Sequence, residues 1–150
     1  MYRLIIFVSF IAQPVKCPVD IVFVLDESGS VGSDNFDLMK SFVSQLVGRF
    51  DIDSGNTRVG LVTYSSSVIA QFNLSDYNTT ASVQSSISSL NYSGGSTDTA
   101  AALAYVRTWM LTSEAGDRSN VPNVVVVLTD GSSNDPPLTA VSVQQSMCLF

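Results

Sequence analysis

The sequence predicts a doubly wound α/β sheet, mostly parallel, with one antiparallel edge strand. Three observations carry this. Continuous apolar runs at 21–25 and 124–128 read as strands buried on both faces. Segments of helical period lie between and beyond them, at 34–50, 80–90 and 98–111. Residues 68–74 alternate apolar with polar or small side chains, which suits a half-exposed strand hairpin-linked to 58–64. Strand, helix, strand, hairpin strand, helices, strand, helix is the order of such a fold.

The first strand, Ile21-Val22-Phe23-Val24-Leu25, has no polar side chain. β-Branched and aromatic residues fit a pleated core, so it reads as the buried centre of the sheet. Helix 34–50 follows, with Phe36, Met39, Phe42, Val43, Leu46, Val47 and Phe50 recurring every three or four positions. Ser33 is the expected N-cap, with Asp34 and Asp37 near the positive helix end. Residues 51–56 have turn chemistry around Gly55. Strand 58–64 contains Val59, Leu61 and Val62, with Gly60 allowing close packing, and Ser65-Ser66-Ser67 turns it. On the next strand Val68, Ala70, Phe72 and Leu74 should share one face. Helix 80–90 has Val83, Ile87 and Leu90 as its inner stripe, and its many serines weaken it in isolation. The alanine-rich segment 98–111 is strongly helical, 114–123 is loop, and 138–148 is expected to form a last helix through Val141, Val143 and Met147.

Chemistry concentrates where the first strand ends. Asp26-Glu27-Ser28-Gly29-Ser30-Val31-Gly32 turns abruptly polar. Asp26, Ser28 and Ser30 offer oxygens at alternate positions, and Gly29 and Gly32 let the backbone bend so that all three face one point. One carboxylate and two hydroxyls suit a hard divalent cation, Mg²⁺ above all, with Mn²⁺ and Ca²⁺ as the other cations such a site admits. The same residues would also serve as an ordinary polar turn.

Composition narrows the functions. The 150 residues carry a net charge of −6 with 7 Lys+Arg, which argues against a nucleic-acid or anionic-membrane partner. There is no His, so no Ser-His-Asp or Cys-His centre can form within the chain. Two Cys are too few for a Cys₄ zinc site. An enzymatic reading survives only as a strand-end Asp nucleophile for phosphoryl transfer. Such enzymes usually place a second Asp two residues on, where this chain has Ser28. Neither a P-loop nor Gly-x-Ser-x-Gly occurs.

Asp26-x-Ser28-x-Ser30 after an apolar strand resembles the metal-ion-dependent adhesion site of von Willebrand factor A and integrin I domains. Gly94-Gly95-Ser96-Thr97-Asp98-Thr99 resembles the Gly-Gly-x-Thr-x-Thr loop of that family, and Leu128-Thr129-Asp130-Gly131 its strand ending in Thr-Asp-Gly. The match runs from about residue 18 to about 137. A single such motif is weak; three in order are specific. The resemblance implies a Rossmann-like sheet of order 3-2-1-4, with Thr97 and Asp130 joining Asp26, Ser28 and Ser30 around Mg²⁺. It implies a non-enzymatic adhesion module that binds an acidic group of a matrix or cell-surface protein, collagen-like ligands among them. A structural role in matrix assembly is the alternative. Ala100 departs from the pattern, since relatives often carry Gly there.

Residues 1–16 read as a signal peptide, with Arg3 before the short apolar run 4–12. Nine residues are too few to span a bilayer, so the mature chain is expected to be secreted. Asn73, Asn78 and Asn91 each begin an Asn-x-Ser/Thr triplet and are glycosylation candidates. In the resembled family flanking cysteines often tie the domain ends together. Here Cys17 and Cys148 could pair so, stay free, or bond another chain. The resemblance also implies two further strands after 124–128 that are not found before Phe150. Residues 18–150 are therefore expected to form an incomplete domain, marginally stable and prone to associate through strand 124–128.

Overall fold

In the computed structural model, which describes residues 18–130, β1 (Val19–Asp26) is the central strand. It pairs in parallel with β2 (Thr57–Tyr64) on one side and with β4 (Asn123–Leu128) on the other. β3 (Val68–Phe72) runs antiparallel to β2, which gives the order β3-β2-β1-β4. The predicted sheet and strand order are both observed.

Side chains of β1 alternate between two cores, as the two-residue period requires. Ile21, Phe23 and Leu25 pack with Phe36, Met39, Val43 and Val47 of α1 (Gly32–Val47) and with Val83 and Ile87 of α2 (Thr80–Ser88). Val22 and Val24 pack on the opposite face against Ala102 of α3 (Thr99–Tyr105) and Val106 and Met110 of the π-helical turn that continues it. Phe23 and Leu25 are fully buried, each worth about 1.5–3 kcal/mol relative to exposure. Helices on both faces explain why β1 has no polar position between Ile21 and Leu25. Gly60 has the close neighbours its sequence suggested: a Cβ there would meet Met110 Cε at 3.0 Å.

Several local expectations need correction. Helix α1 starts at Gly32, with Val31 in the cap position and no side-chain cap bond. The amides of Val31 and Gly32 already bond the Ser28 carbonyl at 3.2 and 3.4 Å, so the helix grows directly from the loop and Ser33 falls inside it. It ends at Val47 rather than near Phe50, and the chain closes in a tight turn through the Phe50 amide and Val47 carbonyl. The β3 side chains do not share one face. A bulge in the β2–β3 register lies between Leu61 and Val62, whose partners are Phe72 and Ala70. Phe72 joins the α1 core, Val68 and Leu74 join the α3 core, and Ala70 is exposed. The predicted helix 98–111 is α-helical only to Tyr105. β4 is not buried on both faces: among its residues only Leu128 is. Among the described residues it pairs with β1 alone. Residues 1–16, both cysteines and the expected helix 138–148 lie outside the described residues.

Candidate functional site

All parallel strands end on one rim, and three segments meet there. At the first, β1 ends at Asp26, and the Glu27 amide still bonds the Tyr64 carbonyl at 2.9 Å. The Asp26 carboxylate is completely buried. Its Oδ1 accepts from the Ser28 amide at 2.9 Å, and its Oδ2 from the Thr129 hydroxyl at 2.8 Å. Ser28 is also buried, and its Oγ lies 3.1 Å from Oγ of the exposed Ser30. No ion pair among the described residues involves Asp26 or Glu27.

The second segment follows α2. The Tyr92 hydroxyl donates to the Ser28 carbonyl at 3.1 Å, while the Tyr92 ring packs on Phe36 with 5.9 Å between centroids. The Gly29 amide donates to the Gly95 carbonyl at 2.8 Å, and a Cβ on Gly29 would lie 3.3 Å from that oxygen. Ser66 Oγ accepts from the Ser96 amide at 3.0 Å, and the Ser65 carbonyl from the Asp98 amide at 3.1 Å. This loop is thereby fastened both to 26–30 and to the turn after β2. It carries Thr97, which is buried. Asp98 caps α3 through the Ala101 amide at 2.9 Å, and buried Thr99 meets the Tyr64 hydroxyl at 3.2 Å.

The third segment is the end of β4. Leu128 pairs in register with Leu25, so Thr129 arrives beside Asp26 and the half-buried Asp130 comes next. The sequence-predicted residues thus divide among three adjoining segments: Asp26, Ser28 and Ser30 on one, Thr97 on the second, Asp130 on the third.

The electrostatics follow from burial. Desolvation raises the Glu27 carboxyl above the ordinary carboxylate range, hydrogen bonds from Ser93 and Thr63 oppose this, and the neighbouring Asp26 adds to it. Burial likewise pushes the Tyr64 phenol up to about 12. The site is acidic and hydroxyl-rich. Among the described residues no three His, Cys, Asp or Glu side chains gather as a metal cage. A cation at this rim would draw largely on hydroxyl and water oxygens, which suits Mg²⁺ better than a soft metal.

Gly95 holds this geometry at a φ of +115°, and a Cβ there would meet Ser66 Oγ at 2.7 Å and Ser65 Oγ at 3.3 Å. Gly95→Ala is therefore expected to cost about 1–3 kcal/mol and to loosen the loop. Urea unfolding measures the first. Faster amide exchange at Gly29, whose partner is the Gly95 carbonyl, reports the second.

The model of the von Willebrand factor type A domain matches residues 20–147. The chain belongs to the von Willebrand factor type A family. It is 40% identical over 120 residues to the mouse collagen alpha-4(VI) chain, covering 79% of this chain and 5% of that one. It is 39% identical over 116 residues to human matrilin-1, covering 77% and 23% respectively. Among solved structures, proximal thread matrix protein 1 of the mussel byssus superposes with a TM-score of 0.78 at 26% identity, over 86% of this chain and 35% of that one. Another structure of that protein has a zinc-occupied MIDAS motif (TM-score 0.75, 27% identity, 83% and 34% covered). The chain spans less than a quarter of the length of these collagen and matrilin relatives. They are proteins of the extracellular matrix.

Four features of this rim had no role assigned from the sequence: Thr129, quoted only as part of a motif, Tyr92, Tyr64 and the burial of Glu27. Only Thr129 left a usable trace. In a parallel sheet, the residue just past one apolar run faces the residue just past its neighbour.

Proposed function

We propose that this von Willebrand factor type A domain is an extracellular protein-binding module whose bound Mg²⁺ takes a carboxylate from a matrix or cell-surface partner. Asp26, Ser28, Ser30, Thr97 and Asp130 would hold the ion, some through water. The observation that carries the reading is the state of Asp26: a buried carboxylate, fixed by the Ser28 amide and the Thr129 hydroxyl, beside a touching pair of serine hydroxyls. Burying an unpaired carboxylate costs several kcal/mol, and a cation at this point offsets that cost. The donor set fits Mg²⁺ because its oxygens are hard and mostly neutral. When bound, the ion supplies a positive centre for an anionic oxygen of the partner. The protein's part is to hold the oxygens in place, through the Gly29–Gly95 bond and the Thr129–Asp26 bond.

Kinship with collagen and matrilin chains supports a matrix partner and secretion, and the absence of His supports binding without turnover. The test is retention on immobilised fibrillar collagen in Mg²⁺ and in EDTA. Retention lost in EDTA and restored by Mg²⁺ is expected; equal retention in EDTA would refute the metal-mediated reading.

Thr129 tests the geometry without replacing a proposed ligand. Thr129→Val keeps the side-chain shape and deletes the hydroxyl that orients Asp26 Oδ2. Partners of this kind typically matter about 10–100-fold in metal affinity, and a Mg²⁺ titration should show that loss with the circular dichroism spectrum unchanged.

A further inference from the structure

The fold separates the three Asn-x-Ser/Thr triplets between opposite rims. β3 runs antiparallel to β2, so the segment after Phe72, with Asn73 and Asn78, lies at the rim away from the candidate site. The Thr80 hydroxyl donates to Asp53 there, in the turn that precedes β2. α2 then carries the chain back along the sheet, and Asn91 emerges beside the site. Its neighbour Tyr92 donates to the Ser28 carbonyl, which fixes this stretch against the loop bearing Asp26.

The triplets also differ in access. Asn91 and Ser93 are both exposed and lie outside any helix or strand. Asn73 is half-buried, its backbone N–H donates to Asp76 Oδ2 at 2.7 Å, and it precedes the fully buried Leu74. In the third triplet Asn78 is exposed as well, but Thr80 is the first residue of α2.

We propose that Asn91 is an N-glycan acceptor whose sugar stands on the same rim as the candidate site. The proposal rests on the secreted reading above. In the transfer, Asn91 Nδ2 attacks the anomeric carbon of a lipid-pyrophosphate-linked oligosaccharide. The N–C bond forms as the C–O bond to pyrophosphate breaks, one amide proton is lost, and the lipid pyrophosphate leaves. The Ser93 hydroxyl completes the triplet that the secretory-pathway transferase reads.

The test expresses the full chain in mammalian cells in two forms, with its own N-terminus and behind an added secretion leader. Glycans are released enzymatically in heavy-oxygen water and the converted asparagines mapped by mass spectrometry. Heavy-oxygen Asp at position 91 is expected in the led, secreted chain. Asn91→Gln should lose one glycan mass step, Ser93→Thr should keep it, and circular dichroism should match for all. An unmodified Asn91 in the led, secreted chain overturns the proposal, whatever happens at Asn78. Modification of Asn91 behind the leader but not from the chain's own N-terminus sustains the acceptor site and overturns the secreted reading instead.

Discussion

Asp26→Ala should reduce Mg²⁺ affinity by more than about 100-fold, so that calorimetry at millimolar ion detects no binding. Residues that merely orient a ligand matter about 10–100-fold, and Asp26 is itself proposed to face the ion. Its hydrogen bonds fix it from two sides, through the Ser28 amide and the Thr129 hydroxyl. Asp26→Asn separates charge from shape. It keeps an oxygen for one of those donors and removes the negative charge, so it should lose nearly as much affinity with less disturbance of the loop. Ser30→Ala should cost far less, because Ser30 is exposed and a water can stand in for its hydroxyl. Asp26→Ala leaves the buried Ser28 amide without its acceptor, at about 1–3 kcal/mol, so a melt must accompany the titration. Unchanged Mg²⁺ binding in a folded Asp26→Ala protein would show that the ion sits elsewhere.

How much of this was legible in the sequence depends on the range of the interaction. β1 could be read because helices cover both its faces, so every position from Ile21 to Leu25 is apolar. The stripes Phe36-Met39-Val43-Val47 and Val83-Ile87 were legible because a helix repeats its buried face locally. The β3 bulge was not, because it is a property of pairing between strands, and the alternation 68–74 looks the same without it. The site shows the same division. Asp26, Ser28 and Ser30 are neighbours in the chain and announced themselves. Thr129 reaches Asp26 across 103 positions and Tyr92 reaches Ser28 across 64, and neither residue type signals such a role. Glu27 is buried against Ser93 and Thr63 from two other segments, which nothing in its local sequence specifies.

Arg118 is the sharpest case of a residue that only the fold explains, and Arg118→Ala should be among the most destabilising single changes in the domain. In sequence it is one charge in a loop. In the structure its Nε and Nη2 hold Asp20 Oδ1 at 2.9 and 2.6 Å, and its amide holds Oδ2 at 2.9 Å. Its Nη1 donates to the Gly55 carbonyl at 2.8 Å, and Nη2 to the carbonyls of Val19 and Asn56 at 3.1 and 3.0 Å. One guanidinium therefore joins the start of β1, the turn before β2 and the loop before β4. Asp20 is fully buried, whereas the Arg118 side chain keeps 19% of its exposure. Truncating Arg118 strands a buried carboxylate, at about 3–5 kcal/mol, against about 5–15 kcal/mol for a whole domain. For a chain of this size that lowers the melting temperature by about 6–20 °C. Arg118→Lys should recover little, since a single ammonium cannot reproduce the fork or reach three carbonyls. Asp20→Asn added to Arg118→Ala should recover part of the loss, because the stranded group is then neutral, and the double-mutant cycle measures that coupling. A loss below about 1 kcal/mol for Arg118→Ala would place the pair with ordinary surface ion pairs and contradict its burial. Asp20 and Asp26 stand at opposite ends of β1, about 20 Å apart at the rise of a strand. Folded Arg118→Ala protein should therefore keep its Mg²⁺ affinity, while Asp26→Ala loses it with a smaller change in melting, so the two ends of β1 separate stability from function.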